Sequence, residues 1–318
     1  MAACFVCGLT AVCSAQVDED VITGGDFLEN EIAGRPWALR LRGEVRYTDD
    51  DDDLLAEDAS YARFPARMYS AETKLFQSDR STYSFGYSAW RNQQDLETDV
   101  WAWKAWVPLY VQEGAQEYHL TLKARSQGGS GTGGEAGSDD TPETTSWYVG
   151  VDRSSSGGLY AYLQMRFITG EGESLGQEIY EYVSWKPTSK FRVGEQAGYS
   201  VLEGDRDLSP WYASLFATVF LVPARTSLRV DARYYDSDTD LRYQRYTAHL
   251  YQRIGTRSLL RLSFRLYDDT GDLSSQAYGA KVIHYFTPRV SAQVGYRLYD
   301  HSEGLGLNTF YGGLQLLL

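Results

Sequence analysis

What most constrains this chain is a period of two. From Trp37 to the last residue, segments of about ten residues alternate apolar with polar side chains, and the connections between them alternate short with long. Residues two apart on a strand share a face. Leu39, Leu41, Val45 and Tyr47 therefore lie opposite Arg40, Arg42, Glu44 and Arg46, and Tyr118, Leu120, Leu122 and Ala124 lie opposite His119, Thr121, Lys123 and Arg125. In the last third one phrase recurs at intervals of 32 residues: Arg229-Val-Asp-Ala-Arg233-Tyr-Tyr235-Asp236, then Arg261-Leu-Ser-Phe-Arg265-Leu-Tyr267-Asp268, then Gln293-Val-Gly-Tyr-Arg297-Leu-Tyr299-Asp300. Arg42-Gly-Glu-Val-Arg46-Tyr47-Thr-Asp49 is a looser copy. An interval that long holds two strands and two turns, the unit of a hairpin array.

Two architectures fit such an array: a sandwich with a polar outer face, or a closed barrel that is polar inside and apolar outside. Strands of about ten residues span a bilayer when tilted and are nearly twice the usual soluble length. No helical pattern appears that could cover the apolar face. Trp101, Tyr118, Trp147, Trp211, Tyr234 and Tyr296 stand near strand ends on that face, the place of an aromatic girdle. After the first residues no apolar run approaches the about 20 residues of a membrane helix, but alternating strands average out in any hydropathy window. The expectation is an all-β fold, a closed antiparallel up-and-down transmembrane β-barrel over residues 37–318. It has about sixteen strands, with about fourteen left open. Glu195, among Phe191, Val193, Ala197 and Tyr199, and Glu181, between Ile179 and Val183, object to a lipid-facing reading. A bulge, a shifted register or a protein contact would each accommodate them.

The end of the chain carries a resemblance. Phe310, Gly312, Leu314, Leu316 and Leu318 alternate to the terminus, as in bacterial outer-membrane barrels, which close on an alternating apolar strand ending in an aromatic residue. Here the last residue is Leu. Together with the short turns (Arg153 to Gly158, Pro187 to Lys190, Pro223 to Thr226, Ile254 to Arg257, Thr287 to Arg289) and long acidic connections, residues 37–318 resemble porin-type barrels. The resemblance implies the outer membrane of a Gram-negative bacterium, with lipid and lipopolysaccharide around the barrel, the barrel-assembly machinery as a partner, and a possible homo-oligomer. It implies no nucleic acid.

Charge is sorted along the chain. The net charge is −13, and its acids gather in bursts between strands, such as Asp49 to Asp53 and Asp268, Asp269 and Asp272. Such bursts read as solvated loops. The positions that parity turns inward are basic: Arg40, Arg42, Arg46, Lys123, Arg125, Arg166, Arg192, Arg229, Arg233, Arg245, Arg261, Arg265, Lys281 and Arg297, against Glu44, Glu72, Asp152 and Asp231. Either these arginines pair with neighbouring acids and stiffen the wall, or they draw anions through, as basic rings do. A barrel of about sixteen strands leaves room for an aqueous channel. The first expectation is thus a porin with a net basic lumen for small, preferentially anionic solutes. A second is a conduit for acidic oligosaccharide or exported polysaccharide, with Tyr235, Tyr267 and Tyr299 stacking on sugar rings while arginines hold carboxylates. A third is a structural or partner-bound barrel without an open pore. The connection from Ser126 to Thr145 is a possible constriction loop, whose Glu135, Asp139, Asp140 and Glu143 would face the arginines, although Gln127 to Gly134 has linker composition.

All three cysteines, Cys4, Cys7 and Cys13, fall in an apolar, small-residue stretch. Residues 1–15 read as a secretory signal peptide cleaved before Gln16, without a basic n-region, so that a start upstream of Met1 stays open. Residues 16–36 read as a periplasmic lead-in. The mature chain then has no thiol. Catalytic constellations are scarce. His119-Leu-Thr121 lacks a serine, Asp300 and His301 are adjacent and point apart, and the glycine run Gly128 to Gly137 has no Lys-Ser/Thr after it. His284, on the apolar face near a turn, reads as an interfacial residue. The reading is of no enzyme, no metal site and no cofactor.

Overall fold

The computed structural model of this chain describes residues 36–50, 66–77, 80–91, 97–112, 115–130, 141–170, 173–202, 209–222, 225–237, 242–269, 274–301 and 306–318. These residues form sixteen strands: β1 (Trp37–Asp50), β2 (Ala66–Gln77), β3 (Thr82–Arg91), β4 (Glu97–Gln112), β5 (Gln116–Ser130), β6 (Thr141–Ser155), β7 (Leu159–Gly170), β8 (Glu173–Thr188), β9 (Phe191–Leu202), β10 (Trp211–Val222), β11 (Thr226–Asp236), β12 (Arg242–Ile254), β13 (Ser258–Asp269), β14 (Ser274–Thr287), β15 (Val290–His301) and β16 (Gly306–Leu317). Each pairs antiparallel with its neighbours in sequence, and β1 pairs with β16, so the sheet has no free edge. The closing seam runs from Arg40 opposite Leu317 to Asp50 opposite Leu307, and Leu39 and Leu318 exchange backbone hydrogen bonds at its end.

Alternation decides the two faces. Leu215 and Leu314 are each 67% exposed and Val294 63%, an outward display no water-soluble wall would carry. Outward Trp37, Trp185 and Phe191 mark the end with the short turns, and Trp101, Trp147, Trp211 and Tyr296 the other end. Such an apolar band between aromatic girdles is the architecture of bacterial outer-membrane barrels. Glu181 and Glu195 lie exposed on the same outward face. Their pairing is unbroken: Glu181 stands opposite Leu163 and Ala197, and Glu195 opposite Val183 and Leu215. Neither a bulge nor a shifted register accounts for them.

Among the described residues four register shifts sit near the short-turn ends, and two, at Gln127/Gly129 and Ile168/Thr169, near the long-connection ends. The register shifts between Pro108 and Tyr110 on β4, and between Trp185 and Thr188 on β8, where Pro187 lies. Proline has no N–H for a ladder, so a bulge is where a long strand tolerates it. At the β6–β7 turn Gly158 has φ 77°, and a Cβ there would stand 2.7 Å from the Lys186 carbonyl oxygen, so only glycine fits. The β5–β6 hairpin is longer than its composition suggests. Ser126 to Ser130 and Thr141 to Thr145 are strand, with Ser126 opposite Thr145 and Gln127 opposite Thr144. Of the proposed constriction loop, Glu135, Asp139 and Asp140 lie outside the described residues, and Glu143 belongs to β6.

Candidate pore

The inward faces carry the polar chemistry. Aromatic rings are laid along the wall by glycines on the neighbouring strand. Phe216 faces Gly194, Tyr212 faces Gly198 and Tyr311 faces Gly295 in direct register. A Cβ on those glycines would come within 2.4, 2.3 and 2.1 Å of the ring atoms. Each ring occupies the space a side chain would have taken, and thereby stays out of the lumen. Guanidiniums then lie over the rings: Arg229 over Phe216 at 4.0 Å and Arg233 over Tyr212 at 4.5 Å. Arg229 and Arg233 are consequently buried, as are Arg40 and Lys281, whereas Arg297 is exposed and Arg42, Arg46, Lys123, Arg125, Arg245, Arg261 and Arg265 are half-buried.

The basic residues divide into two sectors. Around β1, β2 and β7 they are neutralised. Glu44 takes Arg42 at 3.1 Å and Arg46 at 3.2 Å, and Gln293 donates to the same carboxylate at 2.7 Å. Arg40 meets Glu72 at 3.6 Å. Arg166 meets Glu178 at 3.2 Å and donates to Ser146. Lys123 lies 4.5 Å from the centre of the Tyr148 ring, and Arg125 donates to Gln127 at 3.4 Å. This is the wall-stiffening role.

The other sector is β11 to β13. Arg233 stands directly opposite Arg245, and Arg245 opposite Tyr267, two residues from Arg265. Among the described residues no carboxylate forms an ion pair with Arg233, Arg245 or Arg265. The near acid, Asp231, instead accepts from Ser214 at 2.8 Å and Gln196 at 3.5 Å. Nε and Nη2 of Arg233 and Nε of Arg245 are buried without a hydrogen-bond partner. Arg261 lies over Tyr251 at 5.4 Å and touches His249 at 3.5 Å, and Lys281 lies 5.9 Å from the Tyr311 ring.

Beside these arginines, toward the long-connection end, stands a row of tyrosines. Tyr235 and Tyr243 stack at 4.6 Å with 12° between planes, and Tyr243 and Tyr267 follow at 4.9 Å and 35°. Those separations match the spacing of neighbouring strands. The rings therefore face one another along the wall. For Tyr235 and Tyr267, the side of the ring facing Tyr243 is thereby taken. Tyr299 is half-buried two residues beyond Arg297. Tyr243 escaped the sequence reading. It sits on a strand running the other way, so the recurring phrase reads backwards there, as Tyr243-Gln-Arg245.

Across the lumen, His119 is 2% exposed, stacked on Trp106 at 3.8 Å and bonded to Asp152 at 3.1 Å, while Trp106 Nε1 donates to the same carboxylate at 2.8 Å. This closed network braces β4, β5 and β6. His284 Nδ1 and Ser258 Oγ are hydrogen-bonded at 2.9 Å on the outward face.

No protein-family model matches the chain, and no curated protein matches it. Solved structures do. OccK3 (OpdO) of Pseudomonas aeruginosa matches at a TM-score of 0.53 with 9% identity, over 91% of this chain and 97% of that one. The barrel has the porin-type fold. CdiB of Acinetobacter baumannii matches at 0.57 with 9% identity, over 88% of this chain and 60% of that one. An anion-selective porin from Comamonas acidovorans matches at 0.47 with 13% identity, over 89% and 98%. At these identities the likeness is of fold. For a porin-type barrel the chemistry must be read from this chain's own lumen.

Proposed function

We propose that this chain is an outer-membrane porin that passes small solutes passively and prefers anions. One observation carries the preference: Arg233, Arg245 and Arg265 line adjacent strands of the wall with no carboxylate paired to them. Unneutralised positive charge on a low-dielectric wall raises local anion concentration. The paired arginines at Arg42 and Arg46 contribute less, because Glu44 cancels part of their field. The test is the reversal potential of the purified protein in a planar bilayer under a potassium chloride gradient. The expected sign is that of chloride. Replacing Arg233, Arg245 and Arg265 together with Gln is expected to move the potential toward zero, while Arg42→Gln moves it little. A cation-selective wild-type channel, or no conductance at all, would overturn the reading; the latter would favour a structural barrel.

A further inference from the structure

The same wall holds more than diffuse charge. We propose a discrete binding site for a compact oxyanion of two or more negative charges, phosphate or a phosphate monoester, at Arg245 and Arg265. Arg233 supports the site from behind and Arg297 closes it on the far side. This rests on the anion-preferring reading and goes beyond it, because a field needs no particular arrangement of donors and a site does.

Three observations build the site. The first is the orphaned donor: Arg233 is 8% exposed, and its Nε and Nη2 are buried without a partner. Charged groups are not left so in a packed wall unless something compensates them. Arg233 lies over Tyr212 with the half-buried Arg245 directly opposite, so its charge backs the Arg245 guanidinium. The second is spacing. Between Arg265 on β13 and Arg297 on β15, the inward residues of β14 are Ala277, opposite Arg265 and Tyr299, and Gly279, opposite Arg297. No long side chain separates the two guanidiniums.

The third observation selects the ligand. Tyr235, Tyr243 and Tyr267 stack on one another, so their facing sides are closed and they present ring edges, the electropositive part of an aromatic ring. The donors at the site are then the guanidiniums of Arg245 and Arg265; the near carboxylate, Asp231, is held by Ser214 and Gln196, and Tyr243 has a neighbouring ring on each face. A planar aromatic or sugar carboxylate would leave most of those donors unmet. A tetrahedral oxyanion offers acceptor oxygens in several directions at once and suits guanidinium forks.

The test is chloride conductance through single channels in the presence of added inorganic phosphate, with succinate, benzoate and glucuronate as parallel additions. Phosphate is expected to reduce chloride current along a saturating curve, succinate to do so less strongly, and benzoate and glucuronate least. In Arg245→Gln/Arg265→Gln the half-saturating phosphate concentration is expected to rise at least about tenfold, equivalent to about 1.4 kcal/mol. Arg42→Gln, in the paired sector, should leave it unchanged. Should the double variant fail to fold, judged by heat-modifiable gel migration, Arg245→Lys and Arg265→Lys replace it; they keep the charge, lose the fork, and are expected to weaken phosphate block while preserving chloride selectivity. A non-saturating phosphate effect, or ring carboxylates blocking more strongly than phosphate, overturns the site even if the reversal potential remains that of chloride. A saturable phosphate block in a channel without chloride preference would instead overturn the anion-porin reading and leave the site standing.

Discussion

Tyr212 lies along the wall because Gly198 lets it. A Cβ at 198 would fall 2.3 Å from the ring, so Gly198→Ala must push Tyr212 toward the lumen and strip Arg233 of the ring it rests on. The expected outcome is a loss of about 1–3 kcal/mol in folding free energy, the usual range for overpacking, together with a lower single-channel conductance. Urea unfolding in lipid vesicles and bilayer recording check the two parts, and an unchanged conductance would show that the ring does not border the ion path. The arginines of the wall differ in whether a carboxylate meets them. Where a carboxylate two residues along is left to the arginines, as Glu44 is for Arg42 and Arg46, the arginine pairs within the wall; Asp231, two residues from Arg233, is instead taken by Ser214 and Gln196. Where arginine stands opposite arginine, as at 233 and 245, it cannot.

At the scale of the strand, the barrel tolerates two breaches of its own pattern. Prolines at 108 and 187 are absorbed by bulges beside the short turns, where an interrupted ladder costs little. Glu181 and Glu195 are not absorbed. Glu195 lies four residues from Phe191 and four from Tyr199 on β9, midway between the two aromatic levels, and its outward neighbours Val183 and Leu215 offer no donor. An acid at such a depth is destabilising, though less than the about 2–4 kcal/mol of a lysine or arginine at the midplane. Glu195→Leu is therefore expected to raise the folding free energy in vesicles by about 1 kcal/mol. A loss of stability on that replacement would mean that the carboxylate already has a partner in the membrane.

For the whole molecule, closure and charge sorting go together. The chain is acidic overall, at −13, yet the wall of β11 to β13 is basic, because the acids gather in the connections and the arginines in the strands. That sorting serves a barrel whose strands line a pore and whose connections stand in water. The beginning of the chain lies outside the described residues, and the proposal for it is chemical. The mature protein is expected to begin near Gln16 with Cys13 removed and no lipid attached. Intact-mass measurement on protein extracted from outer membranes checks this, and an acylated Cys13 would refute it.

Fold class, the number of strands and the two faces were all legible in the sequence. The physical reason is that a strand's side-chain period is two and needs no tertiary knowledge: parity alone sends Leu41 outward and Arg42 inward. Parity does not say what an inward side chain meets. Which arginine finds a carboxylate depends on the cross-strand register, settled here by closure of the ring and by bulges at Pro108 and Pro187. Register set Arg233 against Arg245, brought Gln293 across the seam to Glu44, and turned the tyrosine faces toward one another. The extension of β5 and β6 through Gly128 and Gly129 was likewise hidden, because glycine favours no strand and is held there by pairing with the opposite strand.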